Sequence, residues 1–281
     1  MMEWKKKQSH LVCIDSDGCA IDGMNIKHIR CFGPCAIEVW ELEKHREELL
    51  KYWNEVNLYS LTRGINRFKG LLMMLNYAKA KGYLNEDLTH LEKWVSETKE
   101  LSNGSLKRTL EEVPDKVLEK AIRWSEMVNR SVAAIPEEEK AAFAGVKEIL
   151  ETVHKKADIV VVSAANADAI ATEWEYNHLL DKVDVCMGQE CGSKAACIHQ
   201  LLELGYEKDC VIMLGDAVGD YQSACANGIL FYPIQVSKEA ESWRIFGDKV
   251  FPQFAANQYT KEEMEVYVKE FYENLGGEKE Q

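Results

Sequence analysis

The second half of the chain alternates short apolar runs with single helical segments, and few folds accept that pattern. Residues 158–163, 183–187, 210–214 and 229–236 read as strands, separated by helical patterns at 168–178, 193–204 and 220–227. Strands this short, apolar on both faces and joined through one helix each, predict a parallel sheet covered on both sides. A first strand is expected at residues 10–15, where Leu11-Val12-Cys13-Ile14 forms a continuous apolar run. It must join the same sheet, because a lone buried strand leaves its backbone groups without partners. The run stops abruptly in Asp15-Ser16-Asp17-Gly18. Asp15 and Asp17 would share a side if the strand continued, and Gly18 permits a sharp turn. Two carboxylates at the carboxyl end of a buried strand are costly to keep charged without a cation or a change of protonation. Ligands of open α/β sheets bind at that end.

Between the first strand and the alternating half lies a region, roughly 24–133, with no strand pattern. Helices are expected at Ala36–Tyr52, Arg63–Lys81, Asp87–Leu101 and Pro114–Ala133. Breaks are expected at Gly82, at Ser102-Asn103-Gly104-Ser105 and at Pro136, all of them turn or cap signals. A helix over 136–155 should precede the second strand, and an amphipathic, acidic helix over 261–276 should follow the last. The expected organisation is an α/β core of residues 1–22 and 137–281, with a Rossmann-like α/β/α arrangement around the parallel sheet. An all-α domain, 23–136, is inserted after the first strand. A chain of 281 residues is long enough for both.

Charge narrows the function. With 47 acidic against 34 basic residues the net charge is -13, which argues against general nucleic-acid binding. A small phosphorylated molecule remains compatible, since a site needs only local positive charge. Lys5, Lys6 and Lys7 are followed by an apolar run too short for a signal-peptide core or a membrane span, so a soluble, cytoplasmic protein with no membrane partner is expected. The nine cysteines are odd in number and contain no CxxC pair, so free thiols are expected, several of them as small core residues. His28, Cys31 and Cys35 could share a helix face, but no fourth ligand is apparent and zinc is not expected there.

Further polar groups stand where strands end. Ser163 closes Ile159-Val160-Val161-Val162, Lys194 follows Gly192-Ser193 at a helix start, and Asp216 and Asp220 lie in Leu214-Gly215-Asp216-Ala217-Val218-Gly219-Asp220. Each has an ordinary explanation by itself: a turn serine, a solvated lysine, a helix cap. Four carboxylates, one lysine and one hydroxyl at the ends of successive parallel strands are harder to explain by capping alone. In the inserted region, Arg63 and Arg67 are four apart and expected on one helical face. With Lys69 beside them they could form a fork for an anionic substrate, the alternative being a solvated helix start or pairing with glutamates. Trp40, Trp53, Trp94 and Trp124, and the run Leu71-Leu72-Met73-Met74-Leu75, read as packing residues.

In these residues the sequence resembles the haloacid dehalogenase-like superfamily. Asp15-Ser16-Asp17-Gly18 is similar to its first motif, Ser163 to the second, Lys194 to the third, and Gly215-Asp216-Ala217-Val218-Gly219-Asp220 to the fourth. The helical insertion is similar to the family's caps, which would choose the substrate. The chain departs from the pattern in having Cys19 where threonine is usual, and Ala164-Ala165 after Ser163. The resemblance implies a Mg²⁺-dependent phosphatase acting on a small phosphate monoester. Asp15 would form an aspartyl-phosphate and Asp17 would serve as general acid and base. Asp15, the Asp17 carbonyl and Asp216 would hold Mg²⁺, with Asp220 among the metal-site residues but acting chiefly on a bound water or on Lys194. Lys194 would offset negative charge, and Ser163 and Ala164 would hold the phosphoryl group. An aspartate at position 17 favours alkoxide leaving groups over halide or phosphonate chemistry. Alternatives are a phosphomutase or phosphotransferase with the same intermediate, or a non-catalytic phosphate-responsive module such as a receiver-like domain. A monomer or homodimer is compatible with the sequence. The connections near 19–24 and 134–140 would allow the insertion to close.

Overall fold

The computed structural model describes residues 4–277 and divides them into two compact units: one from the N-terminus to Met24 together with Glu137 onward, the other Asn25–Pro136. Strand β1 spans His10–Ile14, every residue of it buried.

The chain then becomes helical. A single turn, Met24–Lys27 (α1), runs through a π-helical stretch at 28–32 into Gly33–Val39 (α2). Arg46–Leu58 (α3), Arg67–Ala80 (α4), Thr89–Glu97 (α5), Asn103–Glu112 (α6) and Lys116–Ala133 (α7) follow, with no strand among residues 25–136. Their shared core includes Trp40, Trp53, Trp94 and Trp124, with Phe68, Leu71, Met74 and Leu75 beside them. One expectation needs correction. The helix expected at 36–52 is broken because Trp40 and Leu42 must both be buried. The chain reverses at Glu41, whose φ of 55° is left-handed, and Leu42 N–H closes back on the Ile37 carbonyl at 2.9 Å. The break at Ser102–Ser105, a turn or cap signal in the sequence, is such a cap and opens a further helix. Ser102 and Ser105 each accept the other's backbone N–H at 3.2 Å, a reciprocal cap that starts α6.

In the other unit Val146–Val153 (α8) leads to Ala157–Val162 (β2), then Ala167–Tyr176 (α9), Val185–Met187 (β3) and Lys194–Leu202 (α10). Val211–Gly215 (β4), Val218–Asn227 (α11) and Leu230–Pro233 (β5) complete the sheet, which is parallel throughout with order β3-β2-β1-β4-β5. The helix expected at 136–155 begins only at Val146, after Gly145 at φ 87°. Residues 141–143 instead pair with the segment leaving β1: Asp22 N–H donates to the Ala141 carbonyl and Phe143 N–H to the Ala20 carbonyl. Beyond β5, Glu239–Ile245 (α12), a π-helical stretch at 246–250, Phe251–Ala255 (α13) and Lys261–Asn274 (α14) pack the aromatic residues Trp243, Phe246, Phe254 and Phe271 into the core. The first two helices have no strong amphipathic pattern in the sequence.

The strand order positions a site. From β1 the chain winds to β2 and β3 on one side, then crosses to β4 and β5 on the other. The winding therefore reverses between the neighbouring strands β1 and β4, the place where open α/β sheets leave a crevice at their carboxyl ends.

Candidate active site

Register brings three of the expected residues to one edge. Ile14 pairs with both Val161 and Leu214, so one step further along come Asp15, Val162 and Gly215, and one step beyond those Ser163 and Asp216. Asp15 continues the ladder by donating its N–H to the Leu214 carbonyl at 3.0 Å, and Ser163 does the same to the Met187 carbonyl. The strand does not continue through Asp17. The Ser16 carbonyl accepts N–H groups from Cys19, Ala20 and Ile21, winding the chain into a tight turn that takes Asp17 off the strand.

Lys194 enters from the first position of α10, where Ser193 caps the helix by accepting from Ala196 N–H. Asn227, at the end of α11, donates to the Ala195 carbonyl at 3.0 Å and so pins the start of α10 against α11. The Lys194 ammonium then lies 2.6 Å from Asp15 Oδ2 and 2.5 Å from Asp220 Oδ1. Asp220 has both an ordinary and a chemical role. Its second oxygen, Oδ2, accepts from Ala217 N–H at 3.1 Å and caps α11. Gly215 allows that posture: a Cβ there would stand 2.3–2.4 Å from the Asp220 carboxylate and its Cβ.

Asp15, Asp216 and Asp220 are all buried and present ligand oxygens within 4.8 Å of one another, the one such metal-compatible group among the described residues. Three carboxylates around one ammonium leave a formal charge of -2 in a desolvated space. Burial, with added repulsion from Asp220, pushes the Asp15 carboxyl up to about 6 despite the opposing pull of Lys194. Burial and the neighbouring Asp216 likewise raise Asp220 against the same pull. Burial by itself would lower Lys194, but the two carboxylates it touches hold it well above its usual value. Only oxygen donors, two charges in deficit and closely grouped, suit a hard divalent cation such as Mg²⁺.

Ser163 is buried and its Oγ accepts Ala165 N–H at 3.3 Å, while Ala164 is exposed at the mouth of the same loop. Asn166 caps α9 directly behind it. The expected arginine fork in the helical unit is not formed. Arg63 precedes α4 in a turn and is 3 % exposed, its guanidinium donating to the Leu58 carbonyl. Arg67 donates to Ser125 Oγ and Asn129 Oδ1 and lies over the Phe32 ring at 5.0 Å. Spacing of four implied one face only if both residues were helical, and Asn66 caps the helix between them. Lys69 is exposed. His28, for its part, accepts the Trp53 indole N–H at 3.2 Å and stacks on Phe32.

Sequence reading passed over Gly215 as a cradle, and Ser16 and Trp174, which meet in a hydrogen bond of 2.9 Å between the indole N–H and Ser16 Oγ. Ser16 was visible only as the spacer between two acids. Nothing in the sequence ties position 174 to it.

Three buried acids and one lysine thus gather at the reversal point of a parallel sheet. The chain belongs to the family of haloacid dehalogenase-like hydrolases, whose model matches residues 81–234, just over half of the sequence. No curated protein matches the chain at a significant level. Among solved structures, a Lactobacillus delbrueckii subsp. bulgaricus protein carrying the provisional name phosphoglycolate phosphatase is 14% identical with TM-score 0.52, covering 82% of this chain and 87% of that one. A haloacid dehalogenase-like family hydrolase from Streptococcus pneumoniae is 13% identical with TM-score 0.45, covering 84% and 90%. A Bacillus subtilis protein of the same provisional class, solved bound to magnesium, is 12% identical with TM-score 0.45, covering 80% and 86%. No helix among the described residues is long and apolar enough to cross a membrane.

Proposed function

We propose that the protein is a Mg²⁺-dependent phosphatase that hydrolyses a small phosphate monoester in two steps through Asp15. The observation that carries this reading is the Lys194 ammonium clamped between Asp15 and Asp220, with Asp216 in the same buried group. Lys194 orients the Asp15 carboxylate and screens it from its neighbours, so that a carboxylate oxygen can attack phosphorus and form an aspartyl-phosphate. Asp17, set off the strand by the turn, protonates the departing alcohol and then takes a proton from the water that cleaves the intermediate. Ser163, with the N–H groups of the loop it opens, holds a phosphoryl oxygen. Asp15, Asp216 and the Asp17 carbonyl would hold Mg²⁺, which when bound supplies charge neutralisation for an anion attacking a phosphate dianion. Asp220 holds Lys194 in place.

A panel of phosphorylated metabolites, read by phosphate release with Mg²⁺ and with EDTA, tests the reading. Turnover of at least one ester is expected, lost with EDTA and lost by at least about a thousandfold in Asp15→Asn, as for removal of a covalent nucleophile. A chain inert on every ester, or an Asp15→Asn variant as active as the parent, would overturn it.

A further inference from the structure

We infer that Trp174 is a positioning residue for the nucleophile, acting through its hydrogen bond to Ser16, the residue between Asp15 and Asp17. The inference rests on the phosphatase reading and extends it to a part of the molecule that no motif marks.

Trp174 and Ser16 are 0 % and 1 % exposed, so their 2.9 Å contact is made in a dry interior. A buried indole N–H normally finds an acceptor, and one left without is costly. The acceptor here sits at the most constrained point of the site. The Ser16 N–H donates to Asp15 Oδ1 at 2.8 Å, while its carbonyl collects the three N–H groups that wind the turn toward Asp17. Its side chain is the third handle on the same residue, and Trp174 holds it. Main chain, carboxylate and hydroxyl are thereby fixed together, which limits rotation of the peptide joining the two acids.

The helix that carries Trp174 is itself anchored at both ends. Asn166 caps its start behind the Ser163 loop. Near its end, Glu173 meets the buried Lys140 ammonium at 3.3 Å. Asn177 accepts Ala142 N–H and donates to the Lys140 carbonyl, fixing α9 to the segment that pairs with residues 20–22. A rigid helix therefore spans from the loop after β2 to the turn after β1. Precise holding of reacting groups is worth large rate factors, and small misplacements lower turnover more than affinity.

The test compares Trp174→Phe, Ser16→Ala and the double variant with the parent enzyme, using an aryl phosphate with Mg²⁺ and thermal midpoints measured alongside. Phenylalanine keeps most of the packing and deletes the donor; alanine deletes the acceptor. The expected result is a 10- to 100-fold fall in kcat for each single variant, a change in KM under threefold, and a double variant no slower than either single. Beryllofluoride, which mimics the acyl phosphate on Asp15, should bind the single variants at least tenfold more weakly than the parent. If Trp174→Phe fails to fold, Ser16→Ala alone decides by the same two readouts. A parent enzyme that turns over, with variants within twofold in kcat and in beryllofluoride affinity, overturns the inference and leaves the phosphatase reading standing. Multiplicative losses in the double variant also overturn it, because independent effects are not a shared bond. A parent that neither turns over nor binds beryllofluoride removes the reading and the inference with it.

Discussion

Replacing Lys194 by methionine keeps the length of the side chain and removes the cation that touches both Asp15 and Asp220. Breaking a buried ion pair costs about 3–5 kcal/mol, because the partners stay behind unpaired. The Lys194 side chain keeps 16% of its surface exposed, so solvent relieves part of the penalty and about 3 kcal/mol is expected at neutral pH. At about 2–4 °C per kcal/mol for a domain of this size, the metal-free thermal midpoint should fall by about 6–12 °C. The loss has a definite pH signature. Asp15 already has a folded-state pKa near 6, above its usual 3.8, and Asp220 is shifted in the same direction. Removing the ammonium raises both further. A carboxyl whose folded pKa is raised contributes stability that is complete below its unfolded pKa and is lost as pH rises through the folded one. The penalty of Lys194→Met should therefore be small near pH 4, set in above about pH 6 and grow as pH rises through the variant's still higher carboxyl pKa values. Scanning calorimetry in EDTA at pH 4.5 and 7.5 measures it, and Mg²⁺ at about 100 times its dissociation constant should return about 2.7 kcal/mol. A midpoint unchanged within 1 °C at pH 7.5, or a loss of equal size at both pH values, would refute the charge-balance account of this site.

Gly215→Ala should lower turnover at least tenfold and cost about 1–3 kcal/mol, since the new methyl displaces the Asp220 carboxylate and with it Lys194; kinetics and urea denaturation measure both. Asp15 must be ionised to attack, so kcat/KM at low Mg²⁺ should fall as pH drops through about 6, and saturating Mg²⁺ should move that limb to lower pH. A limb near pH 4 that ignores Mg²⁺ would count against the assigned nucleophile.

Comparing the two units shows where legibility in the sequence ended. The sheet was readable because each of its strands is apolar on both faces, a signal that survives in one dimension, and the acids interrupt those runs abruptly at Asp15 and Asp216. The helical unit was readable in kind, and the polar tetrad 102–105 as a turn or cap signal, but the break after Val39 was not: burying Trp40 and Leu42 together required the left-handed turn at Glu41. Arg63 and Arg67 failed for a related reason, because spacing has geometric meaning only inside a helix and Asn66 starts that helix between them.

The sequence by itself determined the parallel sheet and the end of it at which acidic chemistry gathers, since hydrophobic runs and the residues that stop them are local properties. The tertiary structure alone decided the strand order that sets β1 beside β4, the reach of Lys194 to two acids at once, and the meeting of Trp174 with Ser16. Those depend on register and helix packing between segments up to two hundred residues apart, and no local pattern encodes a contact of that range.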